Sequence, residues 1–213
     1  EKMYGWIHEC LKVMIINYYS EEIWNEIIKK AGEEKYQWKD VEEYISDNNF
    51  FYLHSITANI IGINEIQLCE MYGKYFLTYV RQQGHERLLR CLGNNLFDWL
   101  ANVNQVHTHL LYTMNQMKPP YIWCEKIKGS DDSTFLLHYQ SVRGTKLLPL
   151  MVGIVTTVAK DYFGKIVSLE LIQTQDETNS NSSTCWKVIE IDDISSNDSV
   201  NDHDNNDDHE NND

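Results

Sequence analysis

Apolar residues in the first half of the chain recur at spacings of three and four, which is the period of an amphipathic helix. Within residues 3–18, for example, Ile7, Leu11 and Met14 follow this spacing. Helix-capping residues and glycines divide the remaining sequence into segments. The pattern predicts helices over residues 3–18, 20–32, 49–61, 64–84 and 85–91, and a further one from Asn94 or Asn95 to about Gln116, just before Pro119 and Pro120.

After the two prolines the pattern changes to short runs with a period of two. Residues 121–127 and 134–139 flank a turn sequence, which predicts a hairpin, and residues 165–174 and 184–191 are expected to be further strands. Residues 148–163 return to helical spacing. The predicted fold class is therefore α+β, with an N-terminal helical subdomain followed by a mixed helix and antiparallel-sheet subdomain. Residues 192–213 are rich in Asn and Asp and are expected to form a disordered tail or linker.

The net charge of -14 is concentrated near the C-terminal end. Residues 190–213 hold ten of the 32 acidic residues and no Lys or Arg, which leaves 18 basic and 22 acidic residues before them. No basic cluster appears, so nucleic acids and anionic membrane surfaces are not expected partners. The longest apolar stretch, residues 147–159, is shorter than the ~20 residues of a membrane helix, so no transmembrane span is expected.

The five cysteines are scattered and include no Cys-x-x-Cys pair. This usage predicts free thiols, and together with the lack of a secretory signal it predicts a cytoplasmic protein. A cysteine nucleophile would need a lowered thiol pKa in an electropositive site. Neither Cys91 nor Cys124 lies in a recognisable nucleophile turn, so both are interpreted as packing residues.

One histidine lies on the apolar stripe of the helix that precedes the prolines. His107 continues the series Leu96, Leu100, Val103, Leu110, Leu111 and Met114. His109 is displaced by about 200° around the helix and cannot share this face. Two interpretations of His107 remain open: a core histidine bonded to a backbone carbonyl, or the single axial ligand of a heme iron in an apolar pocket.

A second group of polar residues is Tyr139, Ser141 and Arg143, at steps of two. On a strand, this spacing places a phenol, a hydroxyl and a guanidinium on one face, about 7 Å apart. Such a set of donors can receive a pair of carboxylates, with Arg supplying forked, charge-assisted hydrogen bonds. The alternative is an ordinary solvated strand edge.

Together these two groups and their flanking sequences closely resemble the heme nitric oxide/oxygen binding (H-NOX) domain of soluble guanylate cyclase beta subunits. The resemblance spans residues 3–191, and Met3 aligns with the family's usual start. It implies an α+β fold in which the two subdomains enclose heme b. The matching segments are Met3-Tyr4-Gly5-Trp6, Met71-Tyr72-Gly73-Lys74, Leu92-Gly93-Asn94-Asn95, Val106-His107-Thr108-His109-Leu110 and Tyr139-Gln140-Ser141-Val142-Arg143.

The resemblance also implies roles for individual residues. His107 matches the proximal ligand of the heme iron, and Pro120 matches a proline that packs on the porphyrin and distorts it. The three polar residues of the second group match the motif that binds the heme propionates: Tyr139, Ser141 and Arg143. Three apolar residues fall where the family lines the distal side of the heme: Leu11, Phe76 and Leu150.

The function implied is that of a heme-based gas sensor that regulates a guanylate cyclase. Nitric oxide is the favoured ligand because the three distal residues offer no hydrogen-bond donor, and oxygen is the alternative. The expected partners are the catalytic and coiled-coil regions of a cyclase or a partner cyclase subunit. No cyclase catalytic domain lies within these 213 residues. The rival interpretation is a heme-free scaffold or dimerisation module of a cyclase subunit, which His107 argues against.

Overall fold

The computed structural model describes residues 2–32, 36, 44–175 and 182–192. Among these residues, five α-helices precede the long helix α6, and the four strands of the larger sheet follow it. The elements are β1 (Lys2–Tyr4), α1 (Gly5–Tyr18), α2 (Glu21–Ala31), β2 (Tyr44–Ser46), α3 (Asp47–Ile61), α4 (Glu65–Val80), α5 (Glu86–Arg90), α6 (Leu96–Thr113), β3 (Tyr121–Lys126), β4 (Thr134–Ser141), α7 (Leu148–Phe163), β5 (Lys165–Gln175) and β6 (Ser182–Asp192).

The helices begin where the polar caps predict. Ser20 caps α2 by accepting a hydrogen bond from Ile23 N, and Asn64 caps α4 within a reciprocal capping box. At the start of α6, Asp98 N donates to Asn95 Oδ1 at 2.8 Å, which selects Asn95 over Asn94 as the cap. The predicted helices and strands are thus confirmed in type, with end points that shift by a few residues.

Three local features differ from the sequence pattern. The helix predicted from Met3 begins only at Gly5, because residues 2–4 pair with β2 in a two-stranded antiparallel sheet. The helix predicted to reach Gly84 ends at Val80 and continues as a π-helical turn, Arg81–His85. Helix α6 ends at Thr113 rather than about Gln116. Three-residue strands and single π turns have no period of their own, so a periodicity search does not detect them.

The main sheet has four antiparallel strands in the order β3-β4-β6-β5. Side chains of β4 alternate between half-buried and buried, as expected for a sheet with one face on the core. The α+β prediction is confirmed. The tail predicted over residues 192–213 lies outside the described residues, apart from Asp192 at the end of β6. No helix in the described part of the chain is long and apolar enough to cross a membrane.

The buried apolar residues form two cores. One core lies among α1, α2, α3 and α4 and includes Leu11, Phe50 and Tyr72. The other joins α5, α6, α7 and the sheet. Trp6 and Phe76 pack against both cores, so the helical half and the sheet half meet at these two side chains.

Helices α4 and α7 touch through their backbones. A Cβ atom added at Gly73 would lie closer than 3.0 Å to the Leu150 backbone, and one added at Gly153 would meet the Glu70 carbonyl oxygen. Only glycine leaves room for this approach. The contact holds α7 against α4, and it therefore fixes Leu150 opposite the helix that carries Phe76.

Substituting Gly153 with Ala tests this contact. The added methyl group must push α7 away from α4, and overpacking of this kind typically costs about 1–3 kcal/mol of the free energy of unfolding. We expect a lower urea midpoint for Gly153→Ala than for the parent protein. An unchanged midpoint would show that the two backbones can separate without cost.

Two histidines are buried in the helical core on either side of Phe50. The rings of His8 and Phe50 lie 5.3 Å apart between centroids, and those of Phe50 and His54 lie 5.9 Å apart. Burial lowers the pKa of His8 and of His54 to about 4, and for His54 the charge of Glu65 partly opposes this shift. Both imidazoles are therefore neutral in the folded protein at neutral pH.

The buried histidines predict a loss of stability in mild acid. The unfolded chain takes up their protons near pH 6.5, whereas the folded chain does so only near pH 4. The contribution of the two neutral histidines to the free energy of unfolding is thus complete above about pH 6.5 and is lost as the pH falls from there towards 4. In urea titrations at several pH values, His54→Gln should flatten this slope by up to about 1.4 kcal/mol per pH unit. The exposed His109→Gln variant should keep the parent slope, and an unaltered slope in His54→Gln would contradict the assignment.

Candidate functional site

A largely apolar cavity lies where the two cores meet. Its walls come from both subdomains, and its polar groups are few. The helical half contributes Trp6, Ile7, Phe50, Tyr72 and Phe76. Helix α6 and the segment after it contribute Trp99, Val103, Val106, His107, Leu110, Met114, Met117, Lys118, Pro119 and Pro120. The remaining walls include His85, Ile122, Tyr139, Ser141, Arg143, Leu147, Leu150, Met151 and Ile154.

His107 faces this cavity from α6. Leu96 and Leu100, earlier on the same stripe, are buried, whereas His109 is exposed, as the helical angle predicts. Burial lowers the pKa of His107 to about 4, and the nearby Pro120 carbonyl opposes the shift. The imidazole is therefore neutral at neutral pH, and its buried Nδ1 atom has no hydrogen bond of normal geometry among the described residues.

Asn104, one turn before His107, fixes α6 to the strand that follows the prolines. Its side-chain Nδ2 donates to the carbonyl of Ile122, and its Oδ1 accepts from Ile122 N at 3.2 Å. Both backbone groups of Ile122 are thus satisfied by one amide. Because Ile122 comes two residues after Pro120, this pair holds the prolines close to His107.

The three polar residues at steps of two all line the cavity, but only two belong to the strand. Tyr139 and Ser141 are buried at the end of β4. Arg143 follows the strand and precedes a 3-10 turn, and its backbone N donates to Ser141 Oγ at 3.1 Å. Burial raises the pKa of Tyr139, while Ser141 and Arg143 act in the opposite direction. Tyr139 and Ser141 therefore do not belong to a solvated strand edge, which was the alternative interpretation.

The guanidinium of Arg143 is held by two other parts of the chain. Its Nε atom lies 3.1 Å from Asp47 Oδ2, and its Nη1 atom donates to the Lys118 carbonyl at 2.7 Å. Asp47 is the first residue of α3, and Lys118 precedes the two prolines. One cation therefore joins the helical half, the end of β4 and the segment that follows α6.

The three residues expected on the distal side are placed differently from one another. Phe76 and Leu150 line the cavity. Leu11 does not: it is fully buried in the helical core, and Ile7, one turn earlier on α1, takes the place at the cavity wall. Of the described residues of α1, the wall thus contains Trp6 and Ile7 from the first turn. The distal role expected for Leu11 stays a prediction.

Tyr72 and His85 also bring polar groups to the cavity wall, and the sequence analysis assigns neither a role there. The fully buried Tyr72 hydroxyl donates to the Ile7 carbonyl at 2.8 Å, so its proton is already used. His85 reaches the wall from the π-helical turn and contacts Trp6 edge-on, with centroids 6.3 Å apart. A π turn inside a helical segment often marks a functional position. The sequence signal for it was the Gly84-His85 pair, which was interpreted as a helix boundary.

None of the five cysteines is among the residues that line the cavity. All five are free thiols. Burial raises the pKa of Cys124 to about 12, which makes it a poor nucleophile at neutral pH. The described residues also contain no group of three or more His, Cys, Asp and Glu side chains that could hold a metal ion by themselves.

The donor set fits one kind of ligand. A single neutral imidazole can give one ring nitrogen to a metal while the other donates to a carbonyl such as that of Pro120. One histidine cannot hold a metal unaided, so the remaining ligands must arrive with the metal. Tyr139, Ser141 and Arg143 are hydrogen-bond donors that need acceptors, and carboxylates at the edge of a flat apolar molecule would supply these. A carboxylated metal macrocycle such as heme fits this arrangement of donors.

Comparison with known proteins agrees with this class. Residues 4–171 match the model of the haem-NO-binding family, and the chain belongs to that family. Similar sequences include soluble guanylate cyclase gcy-34 of Caenorhabditis elegans, 31% identical over 170 residues, and gcy-37 of the same organism, 29% identical over 177 residues. These matches cover 78% and 82% of this chain but 24% of each relative, so the chain spans about a quarter of their length.

Solved structures show the same fold. An oxygen-binding H-NOX domain related to soluble guanylate cyclases, in its oxygen complex, superposes with a TM-score of 0.71 at 18% identity, covering 88% of this chain and 95% of the other. An unliganded iron(II) H-NOX variant from K. algicida gives a TM-score of 0.73 at 13% identity, covering 91% and 99% of the two chains. The H-NOX fold expected from the sequence is confirmed.

Proposed function

We propose that this domain binds heme b in the cavity and serves as the gas-sensing part of a soluble guanylate cyclase. The observation that carries the proposal is that a buried neutral imidazole and a buried guanidinium line one apolar cavity. Either group alone has an ordinary structural explanation. Together, on walls that come from two subdomains, they match the two ends of a heme: its iron and its propionates.

Each proposed contact follows from the placement of the side chain. His107 binds the iron, and the hydroxyls of Tyr139 and Ser141 with the Arg143 guanidinium receive the propionates. Pro120 would pack on the porphyrin, and Phe76 and Leu150 would exclude water from it. Leu11 supports this wall only indirectly, through the helical core.

Heme, when bound, supplies an iron coordination position for a diatomic gas. The chain's own contribution would be to hold the His107 imidazole, which binds the iron, and to connect it to the rest of the domain. A change at His107 acts on α6, and the Asn104 hydrogen bonds pass any displacement of α6 to β3. A helix with two alternative positions, biased by ligand binding, is the kind of element that a sensor requires.

Nitric oxide is the proposed ligand in preference to oxygen. Bound oxygen draws negative charge and benefits from a hydrogen-bond donor, whereas nitric oxide depends much less on one. Phe76 and Leu150 provide no donor, and the Tyr72 hydroxyl is occupied by the Ile7 carbonyl. His85 and the indole N–H of Trp6 are further polar groups of this wall, and their two rings pack against each other.

The proposed partners are the catalytic and coiled-coil regions of a guanylate cyclase, or a partner cyclase subunit. The names of the relatives support this assignment, since several are called soluble guanylate cyclases, and the similar regions are about a quarter of their length. A heme-free scaffold is the weaker candidate. A scaffold has no use for a buried imidazole beside an open apolar cavity, whereas a heme domain requires one.

Removal of the axial ligand tests heme binding directly. We expect purified His107→Gly to contain little heme, because the only protein bond to iron is lost, and to regain heme when imidazole is added to the buffer. His109→Ala should keep the parent heme content, since His109 is exposed. The measurement is the Soret absorbance relative to protein concentration. Full heme content in His107→Gly without imidazole would contradict the role of His107.

The gas preference is tested by absorption spectra of the reduced protein. Nitric oxide should shift the Soret band at once, whereas air should cause slow oxidation or no change, because the cavity wall lacks a well-placed donor. His85→Leu should leave the nitric oxide spectrum unaltered. An oxygen complex that lasts for minutes in the parent protein would overturn the preference, and its loss in His85→Leu would identify the donor.

A further inference from the structure

Asp47 forms a buried ion pair with the proposed propionate-binding arginine. Its Oδ2 atom lies 3.1 Å from Arg143 Nε, and its Oδ1 atom accepts from Arg143 Nη2 at 3.4 Å. The exposed fractions of the Arg143 and Asp47 side chains are 8% and 11%. The two residues are 96 positions apart in the chain, so this pairing exists only because the helical half folds onto the sheet half.

The pairing holds the guanidinium in a defined orientation. Asp47 engages the edge formed by Nε and Nη2, while the Lys118 carbonyl accepts from Nη1 at 2.7 Å. Contacts on two sides restrict the rotation of the guanidinium about its last side-chain bonds. Arginine recognises carboxylates through a rigid planar fork, so its orientation decides which carboxylates it can reach.

The same junction also holds the segment that follows α6. Tyr44, in the strand just before Asp47, accepts a hydrogen bond through its hydroxyl from Gln116 N at 3.1 Å. Lys118, held through Arg143, is two residues further along and two residues before Pro120. The start of α3 is therefore tied both to the proposed propionate clamp and to the chain that leads from His107 to Pro120.

We propose that Asp47 is a positioning residue for the heme propionates: it orients the Arg143 guanidinium and thereby links the helical subdomain to the bound cofactor. The inference rests on the proposed heme binding. It assigns to α3 a function that the sequence motif around Arg143 does not contain. It also implies that movement of α3 and occupation of the propionate clamp are coupled through one cation.

The test compares two porphyrins in the parent protein and in Asp47→Asn. Asn keeps the size of the side chain and removes its charge. Heme loss is followed by transfer to excess apomyoglobin, once with hemin and once with hemin dimethyl ester, whose propionates carry no charge. We expect Asp47→Asn to lose hemin about tenfold faster than the parent, because a buried charge pair is broken. The dimethyl ester should leave both proteins at similar rates.

Glu65→Gln is the matched control. Glu65 is the first residue of α4, as Asp47 is of α3, so the variant removes the same charge from the same place in a helix. It should leave both porphyrin rates unchanged. Asp47→Glu should restore part of the slower hemin loss of the parent protein, since it returns a carboxylate to Arg143 on a longer side chain.

Three results would overturn the role of Asp47. If Asp47→Asn accelerates loss of both porphyrins equally, Asp47 supports only the fold. If the hemin rate is unchanged, Asp47 does not position the clamp. Slower loss of hemin would show that Asp47 competes with the propionates for Arg143. Arg143→Ala separates the role of Asp47 from the proposed function. If Arg143→Ala accelerates the loss of hemin more than that of the dimethyl ester while Asp47→Asn does not, Arg143 binds the propionates without help from Asp47. If the parent protein takes up neither porphyrin, the proposed heme binding itself is wrong.

Discussion

The backbone contact between α4 and α7 is the constraint on which the cavity depends. The two glycines let these helices approach until each is in contact with the carbonyl groups of the other. α4 belongs to the helical half and carries Phe76, whereas α7 belongs to the sheet half and carries Leu150. Because the helices cannot come closer and have no side chain to hold them apart, the separation of the walls that they contribute is fixed by backbone atoms alone.

A cavity with apolar walls needs such a frame, because its lining side chains would otherwise collapse on one another. Each half has a complete core of its own, one among the first helices and one between the sheet and α6 and α7. The space between them is bridged at one side by Trp6 and Phe76. At the other side it is bridged by polar contacts, chiefly the Arg143 ion pair with Asp47. The cavity thus has an apolar side and a charged side, which is the polarity of the proposed ligand.

Much of this architecture could be predicted from the sequence, because its signals depend on residues that are neighbours in the chain. These signals are helix caps such as Asn95, the proline pair after α6 and the alternation along β4. They place His107 on a helix and Tyr139 on a strand, as the structure shows. The spacing of two also selected Arg143, and the resemblance to the family added the expected H-NOX fold and the roles of these residues. Leu11 lies in the helical core, whereas Ile7 lies at the cavity wall, and this difference depends on how α1 packs against the neighbouring helices, which no local pattern contains.

The contacts that could not be predicted are those between distant parts of the chain. Asn104 is an ordinary polar residue of a helix until Ile122 is brought beside it. Asp47 is an ordinary first-turn carboxylate until Arg143 reaches it across 96 residues. Both contacts hold one of the two proposed anchors, the imidazole or the guanidinium, and neither belongs to the motif that identifies the family. In this domain the residues that would contact the ligand belong to short sequence motifs, whereas the residues that orient them come from distant positions in the chain and are brought into place by the tertiary fold.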